Sequence, residues 1–180
     1  MNSISPARYN RLSIILHWGM LLLMAATYAA IELRTFFPKG TETREDFKTF
    51  HFMLGLTVLL LVLIRIVVRL CTSAPPITPP PPVWQRRAGG VAHLALYALM
   101  LGMPLGGWLI LSASGATIPF WGLELPALIG PDKALAGQIK EIHETVGTIG
   151  YWLIGLHAAA ALMHHYLLKD DTLRRMWIRG

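Results

Sequence analysis

The chain has 180 residues, 54% of them hydrophobic and only 14% charged, and carries a net charge of +6. Soluble domains average about 25% charged residues, so this chain, with a mean hydropathy of +0.49, has too little polar surface for a water-soluble domain and is too apolar to be disordered. Its single cysteine, Cys71, excludes a disulfide framework, a thiolate-held zinc or iron–sulfur centre, and haem attached through a CxxCH motif.

The first apolar run covers residues 12–31 and contains His17 and Trp18. It is too long for a signal-peptide core and lacks an A-x-A cleavage site, so it reads as a retained span. A polar connection follows, with Arg34, Lys39, Arg44 and Lys48 set against Glu42, Glu45 and Asp46. The second run, residues 50–70, has Arg65 and Arg69 near its end. Residues 75–82 read PPITPPPP, the composition of a stiff polyproline spacer. The third run is residues 91–111, and the connection after it, residues 112–137, carries Pro119, Phe120, Trp121 and Gly122, aromatic content that suits a membrane interface. The fourth run is residues 139–168.

Each run has the length, about 20 residues, needed to cross hydrocarbon. None shows the period-2 alternation of a barrel strand, so all four are predicted to be helices. The expected fold class is all-α: one domain over residues 1–180, an integral membrane four-helix bundle. With the N-terminus inside, 10 of the 16 basic residues, from Arg8 to Arg179, fall on the inner side, with only Asp170 and Asp171 as acids; 6 basic and 8 acidic residues fall outside. This asymmetry predicts cytoplasmic termini. It also assigns the basic pI of about 9.8 to inner loops facing a lipid bilayer rather than to nucleic acid. A bacterial plasma (inner) membrane is the expected location.

The histidines carry the chemical information. All seven (His17, His51, His93, His143, His157, His164 and His165) lie in or at the end of an apolar run, where ionisable groups are costly and are usually functional. At about 1.5 Å per residue, His51 and His143 each lie about 4–5 Å below a lysine, Lys48 and Lys140, and so share the outer level. His157 is about 21 Å deeper than His143 and, after about 1400° of rotation, on the same helix face. His17 is its natural partner at the inner level, although His93 stands at that level too. Two stacked imidazole pairs suit two b-type haems, because haem iron takes axial histidines. Zinc or copper sites commonly add carboxylates or thiolates, which the inner level lacks. Gly55 and Gly147, each four residues after a histidine, would leave room for a flat macrocycle or serve close helix packing. His164, about 10 Å beyond His157 on the same face, is a candidate proton donor to a bound quinone; interfacial anchoring is the plainer reading for it and for His165.

The run HETVGTIGYWLIGLHAAAALMHHYLLKDDTLRRM, beginning at His143, together with LHW at residues 16–18 and FHFMLG at residues 50–55, resembles the bacterial cytochrome b561 family and, within it, the superoxide oxidase branch. The resemblance covers nearly the whole chain. It implies a four-helix, di-haem membrane oxidoreductase that takes electrons from superoxide and reduces ubiquinone. Its four ligand positions fall on His17, His51, His143 and His157, paired His17/His157 and His51/His143, with His93 outside the set. On that reading Arg34, Lys39, Arg44 and Lys48 steer the superoxide anion, and His164 and Lys169 serve the quinone. Three rival expectations remain: a cytochrome b anchor fed by a partner redox protein such as a dehydrogenase, a quinol-dependent reductase running the other way, and a haem-free membrane scaffold or channel.

Overall fold

The computed structural model describes residues 8–177; Arg179, counted above with the inner charges, lies outside them. Four long helices dominate: α1 (Arg11–Leu33), α2 (Glu42–Cys71), α3 (Val83–Ala113) and α4 (Lys133–Tyr166). All four are long and apolar enough to cross a membrane. They run antiparallel in sequence, so one end of the bundle carries both described chain ends (the termini end) and the other carries the α1–α2 and α3–α4 connections (the far end).

The helices outrun the apolar runs because hydropathy registers lipid, whereas helix length is set by caps. At α1, Asn10 accepts a hydrogen bond from Ser13 N, and at α4 Asp132 accepts from Leu135 N. Each satisfies a first-turn amide that has no partner within the helix. α2 begins at Glu42 rather than near residue 50 because Glu42 and Glu45 complement the positive helix start. α3 begins directly after the proline run, at Val83.

The all-α expectation holds for the bundle but misses one hairpin. Ile118–Phe120 (β1) pairs antiparallel with Leu123–Leu125 (β2) across Trp121 and Gly122, whose φ values are +48° and +86°. Positive φ at both central residues is what a tight two-residue hairpin turn demands. The expected aromatic connection is thus a folded cap. Ile118 is buried with Leu56 and Leu111, and Trp121 donates to Thr57 Oγ1 at 3.0 Å.

A core of Met20, Val58, Leu59, Val62 and Met100 joins α1, α2 and α3. By contrast α4, 34 residues long, buries only Ala136 and Gly150. It packs along α3, with no comparable backbone packing on α1 or α2. Large side chains such as Leu22, Trp152 and Leu156 stand outward, as lipid-facing residues do.

The proline segment is not a free spacer. At the termini end the chain after α4 folds back beneath the bundle. Asp171 Oδ1 accepts from Thr78 N at 2.9 Å, Asp171 N donates to Thr78 O at 3.1 Å, and Arg175 donates to Pro75 O. Arg175 also pairs with Asp171 and lies over the Tyr9 ring, while Trp18 Nε1 donates to Met176 O at 2.7 Å. Asp171 and Arg175 are both buried. Asp171→Ala strands a buried guanidinium and a backbone donor. It is expected to cost about 1–3 kcal/mol, read as a lower thermal midpoint in detergent and faster proteolysis after Tyr166; a midpoint equal to the parent's would show that the tail is not held by this residue.

Candidate functional site

The bundle brings the intramembrane histidines together in two groups, one toward each end. At the far end His51 (α2) faces His143 (α4), with ring centroids 6.3 Å apart and planes at 84°. At the termini end His17 (α1) faces His157 (α4) at 6.2 Å and 73°. α4, whose backbone packs chiefly along α3, reaches across to α2 and α1 through imidazoles. His93 (α3) approaches His157 from another side at 5.5 Å.

The orientation of the far-end pair has identifiable causes. His51 Nδ1 lies 2.9 Å from Thr27 O. A carbonyl only accepts, so Nδ1 carries the proton and Nε2 keeps a lone pair for a metal. His143 presses against α3 where that helix has Gly106 and Gly107: a Cβ at 106 would stand 3.4 Å from Nδ1, and one at 107 would stand 3.6 Å from Cε1. His143 Nδ1 is buried without a hydrogen-bond partner among the described residues. Of the two glycines singled out in the sequence, Gly147 serves helix packing, with Met103 Cε 3.4 Å from where its Cβ would be, whereas Gly55 faces open space.

Beside the far-end pair lies an array that sequence reading missed. Tyr28 donates to Gly147 O at 2.9 Å, its ring lies 4.4 Å from that of Tyr151, and Tyr151 donates to Glu32 at 2.8 Å. Gly150 makes room for the Tyr28 hydroxyl. The array links α1 to α4 across the gap where their backbones stay apart.

The donor set fits a macrocycle better than a bare ion. No group of three or more His, Cys, Asp or Glu residues is placed to hold a metal ion among the described residues, and a protein-only site needs at least three such ligands. Two imidazoles with metal–nitrogen bonds of about 2 Å on opposite sides of one metal have ring centroids about 6 Å apart. Both cross-helix pairs, at 6.2 and 6.3 Å, match that span.

The remaining candidates are placed as follows. Arg44 Nη1 donates to Arg34 O and Phe37 O at 3.1 and 2.8 Å, so it ties the first far-end loop. Lys48 pairs with Glu45 at 3.0 Å. Arg34 and Lys39 make no ion pair among the described residues. At the termini end His164 Nδ1 meets Asp170 Oδ2 at 2.5 Å, while Lys169, in left-handed backbone at φ +55°, is exposed beside them. The sequence signal for Asp170 was its position as one of only two acids expected on that side. Burial alone would raise the Asp170 carboxyl, but hydrogen bonds from His164 and Thr172 outweigh it and hold the group below its ordinary value.

Four helices long and apolar enough to cross a membrane, with a cross-helix histidine pair toward each end, define a multi-pass membrane bundle. The family model of prokaryotic cytochrome b561 matches residues 8–178. Cytochrome b561 homolog 1 of Escherichia coli (strain K12) is 42% identical over 172 residues, covering 96% of this chain and 98% of that one. The probable superoxide oxidase CybB of Yersinia pestis is 37% identical over 169 residues, 94% and 95% of the two chains, and Escherichia coli cytochrome b561 homolog 2 is 27% identical over 173 residues, 96% and 92%. The chain belongs to the prokaryotic cytochrome b561 family: it is a multi-pass membrane electron-transfer protein that binds haem b.

The Asp170–His164 contact gives a pH signature. Because the folded carboxyl titrates below its unfolded value, its stabilisation is fully present above the ordinary aspartate value of 3.8 and is lost as pH falls through the lower folded value. The gap in thermal midpoint between the parent and Asp170→Asn is expected to be present at pH 5 and to shrink progressively as pH falls below about 4. A gap as large at pH 3 as at pH 5 would contradict this assignment.

Proposed function

We propose that the protein is a di-haem superoxide:ubiquinone oxidoreductase of a bacterial inner membrane, with its termini end in the cytoplasm. The observation that carries this reading is the pair of cross-helix imidazole couples, equal in span, at opposite ends of one bundle. The orientation rests on the basic residues, which concentrate at the termini end. The superoxide assignment draws on the likeness to the probable superoxide oxidase of Yersinia pestis.

On this reading His51 and His143 hold the outer haem and His17 and His157 the inner one. When bound, the two haems supply one-electron transfer between the membrane faces. His93 lies nearer to His157 than His17 does, but only His17 gives a separation equal to that of the far-end pair. Thr27 O fixes the His51 tautomer, and Gly106 and Gly107 let His143 sit against α3.

Superoxide is an anion that gives up one electron and leaves as dioxygen. Of the four basic residues of the first far-end connection, Arg34 and Lys39 carry positive charge with no ion pair among the described residues, while Arg44 ties the loop and Lys48 pairs with Glu45 within α2. At the other face, two electrons and two cytoplasmic protons convert ubiquinone to quinol. His164 is placed to deliver a proton there: Asp170 bonds its ring and fixes its orientation, and the exposed Lys169 adds positive charge.

The test uses purified protein in detergent with a superoxide generator and a soluble ubiquinone analogue. Quinol should form, and superoxide dismutase should abolish it. His51→Ala or His143→Ala should remove the outer haem and spare most of the inner one; His17→Ala or His157→Ala should do the reverse; His93→Ala should keep both. His164→Ala should keep both haems and their rapid reduction by superoxide while losing most quinol formation. Haems that superoxide does not reduce would end the superoxide assignment. Loss of a haem in His93→Ala with retention in His17→Ala would reverse the inner pairing.

A further inference from the structure

One ionised side chain inside the bundle has no part in the mechanism above. Arg65 lies on α2 toward the termini end and points at α1. Its Nη1 donates to Ser13 O at 3.2 Å, and its Nη2 lies 3.4 Å from His17 Nδ1. Ser13 is buried, and Arg65 itself is half-buried. Among the described residues no carboxylate forms an ion pair with it. A cation within a membrane span is costly to maintain, and its position beside a proposed ligand is the observation to explain.

The two histidine pairs are placed in opposite electrostatic settings. At the far end, His51 Nδ1 donates to a backbone carbonyl, an arrangement that raises the basicity of a metal-bound imidazole. At the termini end, the corresponding nitrogen of His17 faces a guanidinium, which can only donate. In this contact His17 Nδ1 is therefore the acceptor; a His17 that ligated iron through Nε2 would carry its proton on Nδ1 instead, so no acceptor would strengthen it as a ligand, and a full positive charge would stand beside it. The charge of Arg65 also bears on His93 and His157, and Arg69 adds to it at His93. The far-end pair has one cation, Arg34, near His51 and one anion, Glu144, near His143. Ferric haem carries one more positive charge than ferrous haem. A cation a few ångströms away in a low-dielectric interior therefore favours the reduced form, and a basic, carbonyl-bonded imidazole favours the oxidised form.

We propose that Arg65 is a positioning residue for His17 that makes the inner haem the more easily reduced of the two, so that electrons entering at the far end run downhill to the quinone face. The inference rests on the two-haem reading above and adds the direction of flow to it. It assigns the slope to one side chain, with the Thr27 carbonyl acting at the other end of the bundle.

The experiment is a redox titration of the purified protein followed by visible absorbance. The parent should show two one-electron waves, and His17→Ala should abolish the upper one. Arg65→Gln should move the upper wave down toward the lower while leaving the lower in place. Arg65→Lys, which keeps the charge, should retain most of the separation. Loss of the lower wave in His17→Ala overturns the proposal whether or not any Arg65 variant folds. So does an Arg65→Gln protein with both waves unmoved. A parent with fewer than two haems overturns the reading beneath the proposal, and the proposal with it, and is told apart by the haem count before any titration.

Discussion

An imidazole inside hydrocarbon must bond to something, and the rest of this molecule is arranged around that requirement. The bilayer interior offers no water to satisfy a ring nitrogen. Here the rings are drawn into pairs across helices whose backbones do not pack. α4 makes its backbone contacts with α3 but aims His143 at His51 and His157 at His17. A bundle stabilised only by apolar packing would have brought α4 against α1 and α2. Instead, side chains with chemistry of their own span that gap: the two imidazole pairs and, beside the far-end pair, the Tyr28–Tyr151 stack hydrogen-bonded to Gly147 and Glu32.

The two ends of the bundle are closed in different ways. The far end is closed by a small hairpin seated on Leu56 and Leu111 and by a first loop that Arg44 ties to the end of α1. That leaves Arg34 and Lys39 without an acidic partner among the described residues. The termini end is closed by the folded-back tail, whose Asp171 and Arg175 engage the proline segment and whose Asp170 holds His164.

Much of this was legible in the sequence, for physical reasons that can be named. The four spans and their order follow from the lengths of the apolar runs. The matched depths of His51 with His143 and of His17 with His157 follow from helical rise alone, and the centroid separations agree with that ruler. The true helix starts at Glu42 and Val83 were hidden because polar first turns carry no hydropathy signal. The hairpin was hidden because three-residue strands are too short to show alternation, although the Trp121–Gly122 turn could have flagged it. The choice between His17 and His93 could not be made from depth, since rise gives a level and not a direction, and the structure places both rings near His157. The contacts made by Asp170, Arg65 and Tyr28 were hidden because their partners lie on other elements of the fold.

The central claim is that four histidines hold two haems in one chain. Pyridine haemochrome analysis against a quantitative amino-acid assay of the purified, detergent-solubilised protein measures this directly. The account predicts b-type haem at about two per chain, because each bis-imidazole pair ligates one iron. A ratio near one, or a colourless preparation, would contradict it.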